Sequence, residues 1–169
     1  WVLMNSATDI WPDGLGSSSG ELGHNLMDHH LGVGASGVVE GYEDKYYFGR
    51  RANGIYIPRY RNLNGEKRDY IRGFGYQGRA SRQSWSRDIP ELAIGADFKD
   101  SLSEPGHWSM NIGGFGETLP YHENKATLDK NTKDKWGLPV LAIDAIIRDN
   151  ELKMRIDMMN DANEMLEAA

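Results

Sequence analysis

The dipeptide Asn64-Gly65 stands between two stretches rich in aromatic and β-branched residues, Ile55-Tyr-Ile-Pro-Arg-Tyr-Arg61 and Tyr70-Ile-Arg-Gly-Phe-Gly-Tyr76. Asn-Gly supplies the two positive φ values that a tight hairpin turn requires, and the flanking residues suit a pleated surface, so this segment commits the chain to antiparallel β-structure. Pro58 has no N–H to give to a ladder, which places the first of the two strands at an edge or a bulge. Similar punctuation runs through the whole chain. Twenty glycines and six prolines are spread over 169 residues without forming a low-complexity tract, the mark of turns between many short elements. With 39% apolar residues there is enough material to bury a sizeable core.

Further strands are expected at Leu31 to Glu40, which is rich in glycine and valine, and at the aromatic run Lys45-Tyr-Tyr-Phe48. From His107 to Leu119 the chain alternates, with Trp108, Met110 and Ile112 on one side and Ser109, Asn111, Phe115 and Glu117 on the other. Leu138 to Ile147 is a nearly all-apolar run of strand length. Three segments read as helices. Ser19 is placed to cap a short one, with Glu21 in its first turn and Leu22, Leu26 and Met27 as its apolar side. A second runs from about Leu92 to Leu102, ahead of Pro105-Gly106. From Asn150 the period is helical, with Leu152, Ile156, Met159 and Leu166 on one stripe, widened by Met154, Met158, Ala162 and Met165 to about half the circumference. Such a stripe fits a well-buried helix; we favour a methionine flank that packs on protein outside this chain. The expected fold is α+β, one mainly antiparallel sheet of about six strands with helices before and after it.

A net charge of −6 argues against a nucleic-acid partner, and the eight arginines and lysines between Arg59 and Arg87 read as a solvated face. The absence of cysteine excludes disulfides and thiolate chemistry. No apolar stretch reaches the roughly 18 residues of a membrane helix. The chain opens inside an apolar run, Trp1-Val-Leu-Met4, from which we expect a buried element that begins elsewhere.

Gly32-Val-Gly34-Ala-Ser-Gly37 is a literal G-x-G-x-x-G, the pattern that brings a backbone close to a dinucleotide pyrophosphate at a helix start. Its context is wrong for that, because it follows Asp28-His29-His30 and runs into Val38-Val39, with no acidic residue about 20 positions on. It reads as a glycine-rich strand. His24, His29 and His30 with Asp28 lack the three- or four-residue spacing of one helix face, so no metal site is assigned. No G-x-S-x-G elbow is present to carry a hydrolase serine. The polar side of the strand from His107 offers Asn111 and Glu117 as hydrogen-bonding groups and Phe115 as an apolar wall, either a pocket for a sugar or alcohol or a solvated outer face.

Three segments together resemble the glucose-methanol-choline (GMC) oxidoreductases, in particular their bacterial sugar and alcohol dehydrogenase branch. They are Val2-Leu-Met-Asn-Ser6 with Gly20-Glu-Leu-Gly-His-Asn-Leu-Met-Asp-His29; Gly49-Arg-Arg-Ala-Asn-Gly-Ile-Tyr-Ile-Pro-Arg-Tyr-Arg-Asn62; and Gly113-Gly-Phe-Gly-Glu-Thr-Leu-Pro120, continuing through Asp134-Lys-Trp-Gly-Leu-Pro-Val140 to the helix from Asn150. The resemblance implies a parent that uses FAD to oxidise a CH–OH group, with residues 1–30 as the tail of the FAD-binding region. Residues 31–169 would be the substrate-binding domain, closed by a helix over 149–168. It implies Asn25 and Asp28 as cofactor-contacting candidates and His29 near flavin and substrate, with Leu31 where choline-type members can place a carboxylate. No catalytic residue is assigned to this chain, which is expected neither to retain FAD nor to act alone. The implied partners are a sugar or alcohol substrate and the remainder of the parent polypeptide. The rival expectation is a free-standing carbohydrate-binding or structural β-rich domain, in which some of the five tryptophans and eight tyrosines stack on sugars.

Overall fold

The computed structural model describes residues 1–45, 54–82, 94–103 and 106–169. The strand expected at 45–48 lies, apart from Lys45, outside them. Among the described residues the elements are β1 (His29–Val39), β2 (Gly54–Ile57), β3 (Phe74–Arg82), α1 (Ala96–Ser103), β4 (Trp108–Glu117), β5 (Lys125–Lys133), β6 (Pro139–Asp144) and α2 (Asp149–Glu167), with a 3-10 turn at Ser17–Ser19. The chain divides into two compact units, residues 1–29 with 117–152 and residues 30–116 with 153–169.

The strands form the expected mainly antiparallel α+β arrangement, but in two sheets: four strands in the order β1-β4-β3-β2, and the pair β5-β6. The reason for the split lies just after β4. Leu119 gives its N–H to the Glu151 carboxylate at 3.0 Å, and Pro120 has none to give, so the chain leaves the ladder.

In the second unit β3 pairs with β2 from Gly54↔Arg79 to Ile57↔Tyr76 and with β4 from Phe74↔Gly116 to Arg82↔Trp108. β2 is an edge strand and stops one residue before Pro58, as the missing N–H of proline requires. Asn64 and Gly65 do take positive φ, 54° and 90°, yet they do not close a tight hairpin. Residues 58–73 form a long loop organised by Asn62, whose amide donates to the Tyr70 and Arg72 carbonyls and whose Oδ1 accepts from the Arg68 N–H. Tyr70 leaves the strand to enter the core.

That core is Val33, Tyr70, Phe74, Tyr76 and Ile112 with Met154, Met158 and Ala162 of α2. Phe74 is ringed by Tyr60, Tyr70 and Tyr76 at centroid distances of 6.1, 6.5 and 5.5 Å. Gly114 and Gly116 lie on the core side of β4, where an added Cβ would stand 2.6 Å from the Met158 Cε and 2.6 Å from the Met154 Sδ, so the missing side chains admit the methionines. The Tyr76 hydroxyl donates to the Met158 carbonyl at 2.7 Å. The stripe expected on α2 is thereby corrected. Met154, Met158 and Ala162 are fully buried within this chain, whereas Leu152, Ile156 and Met159 are 47%, 57% and 46% exposed. Both sets sit at helical spacing, and the glycines of β4 decide which one packs.

A clamp of charged groups ties the 58–73 loop to α2. Arg61 holds Asp161 through two bonds of 2.8 and 2.6 Å, the Tyr60 hydroxyl adds a third at 2.6 Å, and the Tyr70 hydroxyl donates to Asp157 at 2.9 Å. Part of the basic cluster read as a solvated face is therefore paired.

In the first unit β5 and β6 pair from Lys125↔Asp144 to Asp129↔Val140, with a register shift between Asp129 and Lys133. Buried Asn124 both donates to and accepts from the backbone of Ile146. Buried Glu151, in the first turn of α2, accepts the N–H groups of Leu119 and Arg148 and the Tyr121 hydroxyl, closing one half of a capping box. Burial would raise its pKa, but these donors outweigh burial and hold the carboxyl below the ordinary glutamate value. The helix expected after Ser19 does not form. Ser19 Oγ accepts the Glu21 N–H at 3.2 Å, but Gly20, Gly23 and Asn25 all sit at positive φ (74°, 87° and 59°), which a right-handed helix excludes.

Candidate functional site

Strand alternation gives the four-stranded sheet a second face, opposite the core. From β4 it carries Ser109, Asn111, Gly113 and Phe115; by register, β3 adds Gly75, Gln77 and Arg79, and β2 adds Tyr56. The face holds an open groove of about 520 Å³, walled by Gly32, Gly34 and Ser36 of β1, Gln77 of β3, and Asn111, Gly113 and Phe115 of β4. Its floor is backbone. A Cβ at Gly34 would stand 2.2 Å from the Ile112 carbonyl oxygen, so at this point strand meets strand too closely for any side chain. Phe115 lies opposite Gly75 and reaches across it to stack on Tyr56, the centroids 6.4 Å apart and the rings 28° from parallel. The wall contains two carboxamides, one hydroxyl and one aromatic ring, that of Phe115, and no ionisable carboxyl, amine or imidazole. Chemically it can bind and orient a small polar molecule, and nothing in it abstracts a proton.

The expected alternation of β4 is present, and two of its three proposed substrate-side residues, Asn111 and Phe115, line this groove. Glu117, exposed at the end of β4, is not among the lining residues. Asn25, Asp28 and His29 belong to the first unit and do not line the groove either. Asn25 is half-buried and donates to the Glu21 carboxylate; Asp28 is exposed and accepts the His29 N–H at 2.6 Å; His29 is exposed at the start of β1. The G-x-G-x-x-G at Gly32 falls inside β1, as the strand reading required, and among the described residues no helix opens directly after it. Of the other histidines, His30 is buried, and His24 stacks on His122 at 4.0 Å while its Nδ1 meets the His122 carbonyl at 2.7 Å. Among the described residues no group of three or more His, Asp or Glu is arranged to hold a metal ion.

Gln77 and Tyr56 were not singled out from sequence. The strand expected after Asn64-Gly65 ends at Tyr76, one residue short of Gln77, and the pairing of β3 with both β2 and β4 that puts Gln77 and Tyr56 on the Phe115 side is set only by the fold. A second hollow, of about 550 Å³, lies in the first unit among Met4, Asp13, Leu22, His24 and Lys130. Its walls are mostly loops and turns, which hold a ligand less sharply than paired strands do.

No family model matches the chain. Over 158 residues it is 30% identical to a 2-methyl-1,2-propanediol dehydrogenase from Mycolicibacterium austroafricanum. The alignment takes in 90% of this chain and 28% of that protein, so the chain spans less than a third of the relative's length. What the chain is similar to is therefore one part of a dehydrogenase named for a diol.

Proposed function

We propose that this chain forms the substrate-side part of an FAD-dependent oxidoreductase of the GMC family, one that oxidises a hydroxyl of a sugar or other alcohol to a carbonyl. The observation that carries the proposal is the groove over β4: Asn111 and Phe115 stand on a glycine floor, in a chain aligned over 90% of its length with a diol dehydrogenase. In this reading Asn111 donates to and accepts from the substrate hydroxyl, and Phe115 and Tyr56 press on its carbon skeleton. These residues orient the alcohol. His29, matched to the family's Asp-His, is the residue of this chain nearest the chemistry, and Asn25 and Asp28 are its candidate cofactor contacts.

The glycine-rich segment Gly32–Gly37 is not where a flavin pyrophosphate would sit. Tested as a pyrophosphate cradle, Gly32–Gly37 does not fit: it lies in mid-strand, and a row of N–H groups at a helix start is missing from it. In this reading the pyrophosphate site of FAD, the proton acceptor and the hydride step belong to other parts of the parent polypeptide.

The full-length polypeptide carrying this sequence is expected to purify yellow and to reduce a dye with small alcohols or sugars as donors. The isolated 169-residue chain is expected to retain no FAD. A colourless full-length protein that turns over none of these donors, or a stoichiometric yellow complex of the isolated chain, contradicts the proposal. Ligand binding without turnover would favour a carbohydrate-binding module in its place.

A further inference from the structure

We infer that β6, in the two-stranded sheet, is the docking edge for a third, apolar strand supplied by the remainder of the parent polypeptide. This rests on the reading of the chain as one part of a longer oxidoreductase. The backbone gives the first argument. The Ala126 N–H turns away from β6 and donates to the Gly23 carbonyl at 2.8 Å. In an antiparallel pair, residues that face each other turn their backbone groups either both inward or both outward. Ile143 faces Ala126, and Leu141 faces Leu128 two positions along, so Leu141 and Ile143 present their N–H and carbonyl groups on the far side of β6. Among the described residues no bond to these four groups is present. The Pro139 carbonyl, two residues before Leu141, accepts the Trp1 indole N–H at 2.7 Å, which leaves Leu141–Ile143 as the stretch open to a strand.

The side chains give the second argument. Ala126, Leu128, Leu141 and Ile143 stand on one face of the pair; the first two are half-buried, while Leu141 and Ile143 are 38% and 64% exposed. Natural sheets guard such an edge with lysine, proline or a bulge. Between Pro139 and Asp144 the run Val-Leu-Ala-Ile carries none of these, and the register shift falls in β5, beyond the Asp129↔Val140 pair. Two paired strands are marginal in water, and a third completes them. Backbone donors and acceptors at strand spacing are matched by another extended backbone, and the face they border calls for apolar residues at alternate positions. The source of that strand follows from size. Four groups over three residues fall far short of the roughly 1,200 Å² that holds a free dimer together, whereas a strand of the same polypeptide meets the edge at high effective concentration. The aligned dehydrogenase has 28% of its length matched by this chain, and a parent of that size has ample chain to supply the strand.

Residue-resolved hydrogen exchange on the full-length polypeptide tests this against an internal control, because Ala142, which faces Thr127, turns its N–H inward to β5. The N–H groups of Leu141 and Ile143 should exchange within about tenfold of that of Ala142, whereas at an edge open to water they would exchange about a hundredfold faster or more. Ile143→Lys, the kind of residue that open edges use, should lower the Tm of the full-length protein by roughly 2 °C or more. Fast exchange at Leu141 and Ile143, or an unchanged Tm in Ile143→Lys, would overturn the inference. So would protection that is lost on dilution while light scattering shows a dimer giving way to a monomer, since the edge would then belong to a second copy. The two readings fail separately. A yellow, active full-length protein with fast exchange at both residues loses this inference alone, whereas a colourless, inactive one with both residues protected loses the oxidoreductase reading and keeps the docking edge.

Discussion

Asp161 shows how a buried charge is kept in this chain. Its side chain is only 8% exposed, and burial alone would raise its pKa, but the bonds from Arg61 and Tyr60 outweigh burial and hold it below the ordinary value of 3.8. A carboxyl depressed on folding stabilises the folded state above its unfolded pKa and stops doing so as pH falls through the folded one. Stability should therefore fall as the pH drops below about 4, and Asp161→Asn should make that acid limb shallower, as followed by urea denaturation across pH. At pH 7 Asp161→Ala should cost about 2–3 kcal/mol, at or just below the roughly 3–5 kcal/mol of breaking a fully buried pair, because Arg61 keeps some contact with water. Tyr60 runs the other way: burial first, then its bond to Asp161, lifts the phenol above its usual value, so its contribution persists below pH 10 and fades above it. Two glycines give a second contrast. An alanine at Gly34 would press on backbone, the Ile112 carbonyl, while one at Gly114 would meet the Met158 methyl, the free end of a flexible side chain. Gly114→Ala should cost about 1–3 kcal/mol, typical of overpacking, and Gly34→Ala clearly more, which thermal melts of the two variants would rank.

At the scale of elements, sequence reading succeeded where one pattern had one consequence. The alternation of β4 is such a case, and so is the edge position read from Pro58, since a proline cannot donate whatever the tertiary context; the strand itself stops at Ile57 and does not run on to Arg61. Sequence reading failed where two structures shared a pattern. Asn64 and Gly65 have the φ values their chemistry favours, but Asn62 bonds across the loop to Tyr70 and Arg72, and no local rule announces that. Ser19 acts as a cap without a helix, because Gly20, Gly23 and Asn25 take left-handed backbone states that the sequence pattern does not announce. On α2 two apolar stripes were present, and only the steric space above Gly114 and Gly116 chose between them. The choice is measurable. Met158→Ala should cost about 2–5 kcal/mol, the range for a buried methionine, while Ile156→Ala should stay within about 0.5 kcal/mol. Equal costs in chemical denaturation would return the buried side to the Ile156 stripe.

For the whole molecule, two lines bear on the same class of activity. One is the sequence likeness to the GMC oxidoreductases; the other is the 30% identity to a dehydrogenase named for a diol. Asn111 and Phe115 were legible as candidates because strand period alone puts them on one polar side, and the groove gives that side a shape. Gln77 was not legible, since its place opposite Gly113 follows from a register that only the fold sets. No helix of the described residues is long and apolar enough to cross a membrane. The central claim, that the open face of the four-stranded sheet holds the substrate, meets its most direct test in Asn111→Ala within the full-length polypeptide. We predict a fall in kcat/KM of roughly tenfold or more for its best alcohol donor, at unchanged Tm and unchanged flavin content. Unchanged kcat and KM for every donor would contradict it.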